Sequence, residues 1–131
     1  MTLENYPVHS TVPAADLERA KAFYADKLGL EPKDEQPGGI WYEAGGIRFL
    51  LYPTPSAGTA QNTAIGFAVD DIEKVVAELK DRGVVFEEYD FPGLKTENSV
   101  AQTGEAKAAW FKDSEDNTIG IVQLPPGADP G

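Results

Sequence analysis

Residues 12–30, VPAADLERAKAFYADKLGL, carry the clearest secondary-structure signal in the chain. Apolar residues recur at spacings of three and four from Leu17 to Leu28, which is the period of an amphipathic helix. Asp16 stands where an N-cap side chain accepts a backbone hydrogen bond, and Gly29 stands where a helix ends. The stretch therefore predicts a strand that leads into one helix.

The second half of the chain repeats this pattern at residues 64–84, AIGFAVDDIEKVVAELKDRGV. Asp71 takes the place of Asp16, Gly83 takes the place of Gly29, and apolar residues again recur at helical spacing between them. Each predicted helix has one strand-like segment before it and three after it. The pattern therefore predicts two βαβββ units and an α+β fold class.

The segment after the second helix is expected to complete the second unit. Residues 84–89 are predicted to form a strand, and residues 91–104 are predicted to form a loop. Residues 106–112 and 118–124 are predicted to be the last two strands.

We expect both units to belong to one domain that spans residues 1–131, because a chain of this length suits a single compact domain. The first unit covers about residues 6–53 and the second about residues 63–125. Between them, residues 54–62 are rich in turn formers and small residues, so they are predicted to form a linker. The tail, residues 126–131, is expected to fray.

The composition bounds the class of protein. Hydrophobic residues make up 41% and charged residues 25%, which is typical of a soluble globular domain. Twenty-two acidic and eleven basic residues give a formal net charge of -11, which disfavours nucleic-acid and anionic membrane partners. The absence of cysteine excludes disulfides, thiolate nucleophiles and cysteine zinc sites. With no secretory signal and no run of ~20 apolar residues, a cytoplasmic protein is expected.

Three motifs occur in the chain in this order: VPAADLERAKAFYADKLGL, VDDIEKVVAELKDRGV and WFKDSEDNTIGIVQ. Together they resemble the vicinal oxygen chelate superfamily, which includes glyoxalase I, bleomycin-binding resistance proteins, fosfomycin-modifying enzymes and extradiol dioxygenases. The resemblance covers nearly the whole chain. It implies two units whose curved mixed sheets surround a cavity, with the helices on the outer face, and it implies a homodimer. One fold can carry many different functional sites, so the resemblance is less specific for function than for fold.

The resemblance also implies four positions at which metal-dependent relatives place ligands, on the first and last strand of each unit. The first is His9, the only histidine, and the others fall at Leu50, Ala64 and Gly120, which offer no ligand atoms. A catalytic divalent ion generally needs three or more protein ligands. We therefore predict no metal and no other cofactor; a replacement site would need carboxylates such as Glu43 to face inward.

The alternation of side chains along strands extends the predicted site beyond His9. Several positions on the same face as His9 carry small residues, which leaves space where metal-dependent relatives hold an ion. His9, Arg48 and Tyr52 supply polar groups that orient a ligand. No catalytic residue is identified. The predicted ligand-binding residues are His9, Thr11, Trp41, Arg48, Leu50, Tyr52, Ala64, Gly66, Phe91, Trp110 and Gly120.

Two functions remain open, both with a small molecule as the partner. One is metal-independent binding of a small, partly apolar or aromatic molecule, such as resistance-type sequestration of an antibiotic or natural product. The alternative is a glyoxalase-like or dioxygenase-like enzyme, a lyase, isomerase or oxygenase, that uses His9 on a small oxygenated substrate. A third reading is a regulatory or structural domain whose cavity is filled by its own side chains.

Overall fold

The computed structural model describes residues 3–125, which contain two α-helices and ten strands. The strands form two sheets. The helices are α1 (Leu17–Asp26) and α2 (Ile72–Asp81). The strands are β1 (Ser10–Ala14), β2 (Asp34–Gln36), β3 (Gly39–Ala44), β4 (Ile47–Pro53), β5 (Thr63–Ala68), β6 (Asp90–Phe91), β7 (Leu94–Glu97), β8 (Val100–Thr103), β9 (Ala106–Lys112) and β10 (Thr118–Gln123). The tail that was expected to fray lies outside the described residues.

The two sheets share one topology. The first has the strand order β1-β4-β3-β2, and the second has the order β5-β10-β9-β8-β7-β6. In each, the strand before the helix pairs in parallel with the last strand of its unit, and that last strand pairs antiparallel with the strand that precedes it. A parallel pair requires a crossover connection, which α1 and α2 provide. The predicted α+β class with two mixed sheets is confirmed; the first unit is βαβββ, and the second has the same arrangement with five strands after its helix instead of three.

Both helices begin at the aspartates that the sequence indicates. The Asp16 carboxylate accepts the backbone N–H of Arg19 at 3.1 Å, and the Asp71 carboxylate accepts that of Lys74 at 3.2 Å. These side chains satisfy backbone donors that have no partner in the first turn of a helix. A glycine with a positive φ follows each helix, as predicted. Neither helix in residues 3–125 is long and apolar enough to cross a membrane.

Each unit has an apolar cluster between its helix and its sheet. In the first cluster the rings of Tyr42 and Phe49 stack with centroids 5.3 Å apart, and in the second Phe86 meets Phe111 edge-on at 5.4 Å. Burial of such rings removes a large apolar area from water. Three partly buried side chains pack against both clusters and join them: Phe23, Leu28 and Ile65.

The chain between α2 and β9 differs from the sequence prediction. Residues 84–89 form no continuous strand, and only Phe86 makes a bridge, to Phe111. The predicted loop at residues 91–104 instead contains β7 and β8 and part of β6. These strands are short, so neither alternation nor length distinguishes them from a loop in the sequence.

The turn between β7 and β8 explains why this hairpin was missed. Asn98 and Ser99 both have a positive φ, 52° and 75°, as a type I′ turn requires. Glycine usually occupies the second position, so a serine there hides the signal. The Glu88 carboxylate holds the turn by accepting the Ser99 backbone N–H at 3.2 Å and the Ser99 hydroxyl at 2.8 Å.

The turn between β9 and β10, residues 113–117, docks on the first unit, and we call it the interunit turn. Asp113 is 4% exposed, and its Oδ2 accepts the Tyr24 hydroxyl at 2.8 Å and the Asn117 amide at 3.0 Å. The Asn117 amide also donates to the Pro13 carbonyl at 2.7 Å. Oδ1 of Asp113 accepts the backbone N–H groups of Glu115 and Asn117 within the turn itself.

Glu115 of the interunit turn binds the start of α1. Its side chain is fully buried and accepts two bonds from the Arg19 guanidinium, at 2.8 and 3.0 Å, and one from the Asp16 backbone N–H at 2.8 Å. Burial by itself raises the pKa of Glu115. The donors from Arg19, Asp16 and Ser114 outweigh that effect, and they lower the pKa from 4.5 to about 2.

We predict that Glu115→Gln lowers the free energy of unfolding at pH 7 by up to about 3 kcal/mol, because it removes the buried charge that these donors bind. The folded-state pKa lies below the unfolded one, so this stabilisation is complete above about pH 5 and is lost as the pH falls towards 2. Urea unfolding at a series of pH values measures it, and the gap between variant and wild type is expected to close over that range.

The matched control is Asp116→Asn, which removes a charge from the exposed neighbour in the same turn. We expect it to change stability by less than about 0.5 kcal/mol. A gap between Glu115→Gln and wild type that stays constant down to pH 2 would contradict the role of the ionised carboxylate.

Candidate functional site

The face of each sheet that lies away from its helix carries an equivalent row of side chains. On the same strands, the residues that alternate with this row lie on the opposite face of the sheet and pack beneath α1 and α2. In both rows the residues lie directly opposite one another in the strand register, and the third residue is a tryptophan. The rows are Thr11–Leu50–Trp41 in the first sheet and Gly66–Gly120–Trp110 in the second.

A cavity of about 400 Å³ opens on this face of the first sheet, and we call it the His9 cavity. The His9 ring lies edge-on to the Trp41 ring, with centroids 4.7 Å apart and planes at 67°. Three residues predicted from the sequence thus line one cavity: His9, Trp41 and Arg48. The cavity is lined by Pro7, Val8, His9, Trp41, Glu43, Gly46, Ile47 and Arg48.

Arg48 is held only loosely in the His9 cavity. It lies opposite Glu43 in the β3–β4 register, and its Nε donates to the Glu43 carboxylate at 3.4 Å. Both side chains are partly exposed, at 54% and 37%, and a pair of this kind contributes little stability. The terminal nitrogens of Arg48 make no hydrogen bond within residues 3–125. The guanidinium therefore has donors available for an oxygen atom of a ligand.

A second cavity, of about 420 Å³, lies at the junction of the two units. Arg48 and Ile47 line this junction cavity as well as the His9 cavity, and Gly66 lines it from the second unit. Of the remaining predicted residues, Tyr52 is half-buried at the end of β4 and Ala64 is exposed on β5. Of the predicted site residues, Arg48 is thus the one that lines both cavities.

Trp110 and Phe91 do not join His9. The Trp110 ring meets Tyr89 edge-on at 5.6 Å, and Gly120 lies under it, where an added Cβ would be 3.7 Å from the indole. Phe91 lines a different cavity, between α2 and the β7–β8 hairpin. No sequence pattern indicates this separation, because the path of residues 90–105 depends on a hairpin that has no clear sequence signal.

Five residues of the His9 cavity are not in the predicted site: Pro7, Val8, Glu43, Gly46 and Ile47. Glu43 follows Trp41 by two positions on β3, so strand alternation would have found it. Pro7 and Val8 precede β1 and carry no periodic signal. Ile47 is the first residue of β4 and remains 66% exposed, although its parity matches that of buried Phe49.

A family model described as the Glyoxalase/Bleomycin resistance protein/Dioxygenase superfamily matches residues 7–119. The chain belongs to this superfamily. It is 30% identical over 133 residues to the uncharacterized protein YurT of Bacillus subtilis (strain 168), a match that covers 88% of this chain and 97% of that protein.

Solved structures of the superfamily share the fold at lower identity. The genomically encoded fosfomycin resistance protein FosX from Listeria monocytogenes has a TM-score of 0.67 at 14% identity, and the match covers 92% of this chain and 94% of that one. TnmS3, an antibiotic binding protein from Streptomyces sp. CB03234, has a TM-score of 0.62 at 24% identity, with coverage of 90% and 94%.

The residues present do not fit the metal ion that metal-dependent members of the superfamily hold. Of the four implied ligand positions only His9 has a donor atom, since the others are Leu50, Ala64 and Gly120. Among the described residues, no three His, Cys, Asp or Glu side chains come together in a group that could hold an ion.

We predict that His9→Ala shifts the fluorescence of Trp41 to longer wavelength, because the imidazole that covers the indole is removed. The chain has two tryptophans, so a Trp110→Phe background makes Trp41 the only emitter. Lys74→Ala, an exposed residue on α2, serves as the control and is expected to leave the spectrum unchanged. Identical spectra with and without His9 would contradict the ring contact.

Proposed function

We propose that the protein binds a small, partly apolar or aromatic molecule in the His9 cavity without the help of a metal ion. The observation that carries this proposal is one cavity in which an aromatic pair, Trp41 and His9, lies beside an arginine with free donors. Small-molecule sites have volumes of roughly 300–1,000 Å³ and combine apolar walls with a few polar groups. The His9 cavity, at about 400 Å³, falls within this range.

Binding would draw its free energy from apolar surface that is now exposed. Val8 is 92% and Ile47 is 66% exposed at the edge of the cavity, next to the indole of Trp41. Covering such surface contributes about 25 cal/mol per Å² of apolar area. Arg48 would exchange its weak bond to Glu43 for a carbonyl, carboxylate or phenolate oxygen of the ligand, which fixes the orientation.

The comparisons support a more specific form of the proposal, which is the sequestration of an antibiotic or a similar natural product in the cytoplasm. TnmS3 is an antibiotic binding protein and FosX is a fosfomycin resistance protein, and both share this fold. At 24% and 14% identity the likeness extends to the fold alone, so the ligand class rests on the His9 cavity.

An enzymatic function is the second candidate, and the placement of Glu43 favours it. His9 and Glu43 line the same cavity, so an imidazole and a carboxylate face one space in which a small oxygenated substrate fits. Such a pair can move a proton at neutral pH. Turnover that is lost in His9→Ala while the substrate still binds would favour catalysis, and equal loss of binding and turnover would favour a binding protein.

The binding proposal predicts that planar aromatic compounds with an oxygen anion raise the melting temperature and quench Trp41 in the Trp110→Phe variant. A ligand at 100 times its Kd stabilises the native state by about 2.7 kcal/mol. We expect Arg48→Gln and Trp41→Ala each to weaken binding about tenfold, since each removes a contact worth about 1.4 kcal/mol. Isothermal calorimetry measures these constants.

Lys112→Gln is the matched control for Arg48→Gln, because it removes an exposed positive charge that lies outside the cavity. It is expected to keep the wild-type Kd. The proposal fails if no compound of the panel stabilises the protein, or if bound compounds bind equally well to Trp41→Ala.

We also propose a homodimer, in which a second copy packs beside the His9 cavity against the parts of Val8 and Ile47 that a bound ligand leaves uncovered. Sedimentation velocity is expected to give twice the monomer mass of 14.1 kDa. Ile47→Glu should dissociate the dimer, whereas Val85→Glu, at another exposed valine outside the cavity, should not. A monomer at micromolar concentration would overturn this proposal.

A further inference from the structure

A cavity of about 900 Å³ lies on the other face of the second sheet, and it is more than twice as large as the His9 cavity. It runs between α2 and the β7–β8 hairpin, and we call it the α2 groove. Lys107 on β9 marks this face, because its ammonium binds Glu73 of α2 at 2.7 Å. Trp110 on the same strand has the opposite parity, so the α2 groove is separate from the tryptophan row.

The floor of the α2 groove is apolar. Val76 is buried at 4% exposure, and Val100 and Leu94 are half-buried beside it. Phe91 stands at the edge with 54% of its surface exposed, and Ala77 leaves room along the helix. A molecule with an apolar body would cover these side chains and remove them from water.

The charges around the groove favour an anion. Three lysines and two glutamates line it, and the Glu73 carboxylate is already bound by Lys107. The remaining charged side chains are Lys80, Lys95 and Glu97. They give the groove a local excess of positive charge, although the formal net charge of the chain is -11. Within residues 3–125, neither Lys80 nor Lys95 makes a side-chain hydrogen bond or an ion pair.

Glu88 does not neutralise Lys80, although the two charges interact electrostatically. The carboxylate oxygens of Glu88 accept the hydroxyl groups of Thr96, at 2.6 Å, and Ser99, at 2.8 Å. These bonds keep the carboxylate on the hairpin instead of in an ion pair with the helix. The Lys80 ammonium therefore retains donors that can turn to a ligand.

We propose that the α2 groove binds a small amphipathic organic anion, a carboxylate or sulfonate with an aromatic or aliphatic body. The acidic group lies between Lys80 and Lys95, and the body lies over Val76, Val100 and Leu94. Charge-assisted bonds of this kind are about twice as strong as neutral ones. This site is independent of the His9 cavity, which lies on the first unit.

Two probes with the same ring system test the anion and the apolar body separately. 8-Anilinonaphthalene-1-sulfonate carries the acidic group, and N-phenyl-1-naphthylamine is its uncharged counterpart. We expect the sulfonate to bind the full chain with enhanced fluorescence, and its Kd to rise about tenfold in Lys80→Gln/Lys95→Gln, while that of the amine stays within about twofold. Added salt should weaken the sulfonate alone.

The matched control is Lys74→Gln/Lys112→Gln, which removes the same two charges at exposed positions outside the groove, one of them on α2. It should keep the wild-type Kd for both probes. In the Trp41→Ala background, which weakens binding at the His9 cavity, Ala77→Phe fills the groove from an exposed helix position and should block both probes; urea unfolding checks that each variant is folded.

Trp41→Ala separates this site from the proposed function. Sulfonate binding that survives Trp41→Ala and is lost in Trp41→Ala/Ala77→Phe supports the α2 groove. The inference is overturned if the sulfonate does not bind, if it binds the double lysine variant as tightly as the control, or if it is lost in Trp41→Ala or kept in Trp41→Ala/Ala77→Phe.

Discussion

Two buried carboxylates of the interunit turn, Asp113 and Glu115, hold the second unit against the first. A buried charge is costly unless hydrogen bonds replace the water that it loses. Here the replacing donors include the Tyr24 hydroxyl, the Arg19 guanidinium and the backbone N–H of Asp16, the N-cap residue of α1, all from the other unit. Donors within the turn itself bind only part of the two carboxylates, so their full set of hydrogen bonds forms only when the units are docked.

The fold has two cavities of different chemistry, one on the first sheet and one between α2 and the β7–β8 hairpin. The His9 cavity combines aromatic rings with an arginine that is loosely bound to Glu43, so it suits a planar ligand with an oxygen atom at one edge. The α2 groove combines aliphatic side chains with two lysines, so it suits a longer body with an acidic end. Although the chain is rich in acidic residues, both cavities contain cationic side chains with N–H donors that are not all hydrogen-bonded.

Much of the fold could be predicted from local patterns. The caps at Asp16 and Asp71, the helical periodicity and the strand alternation each depend on neighbouring residues, and the structure has the expected helices and the two equivalent rows. The β7–β8 hairpin could not be predicted, because its turn has serine where glycine is usual and depends on Glu88, eleven positions away. The separation of Phe91 from His9 follows from that hairpin.

The sequence by itself determined which residues form helices, which side chains share a face of a sheet, and that only one of the four implied ligand positions has a donor atom. These properties depend on residue type and on periods of two and 3.6 residues, which are local. Only the tertiary structure decided that Arg48 lines two cavities and that Lys80 and Lys95 line one groove. Such groupings of residues depend on how buried charges and apolar clusters bring distant segments of the chain together. No local sequence pattern encodes them.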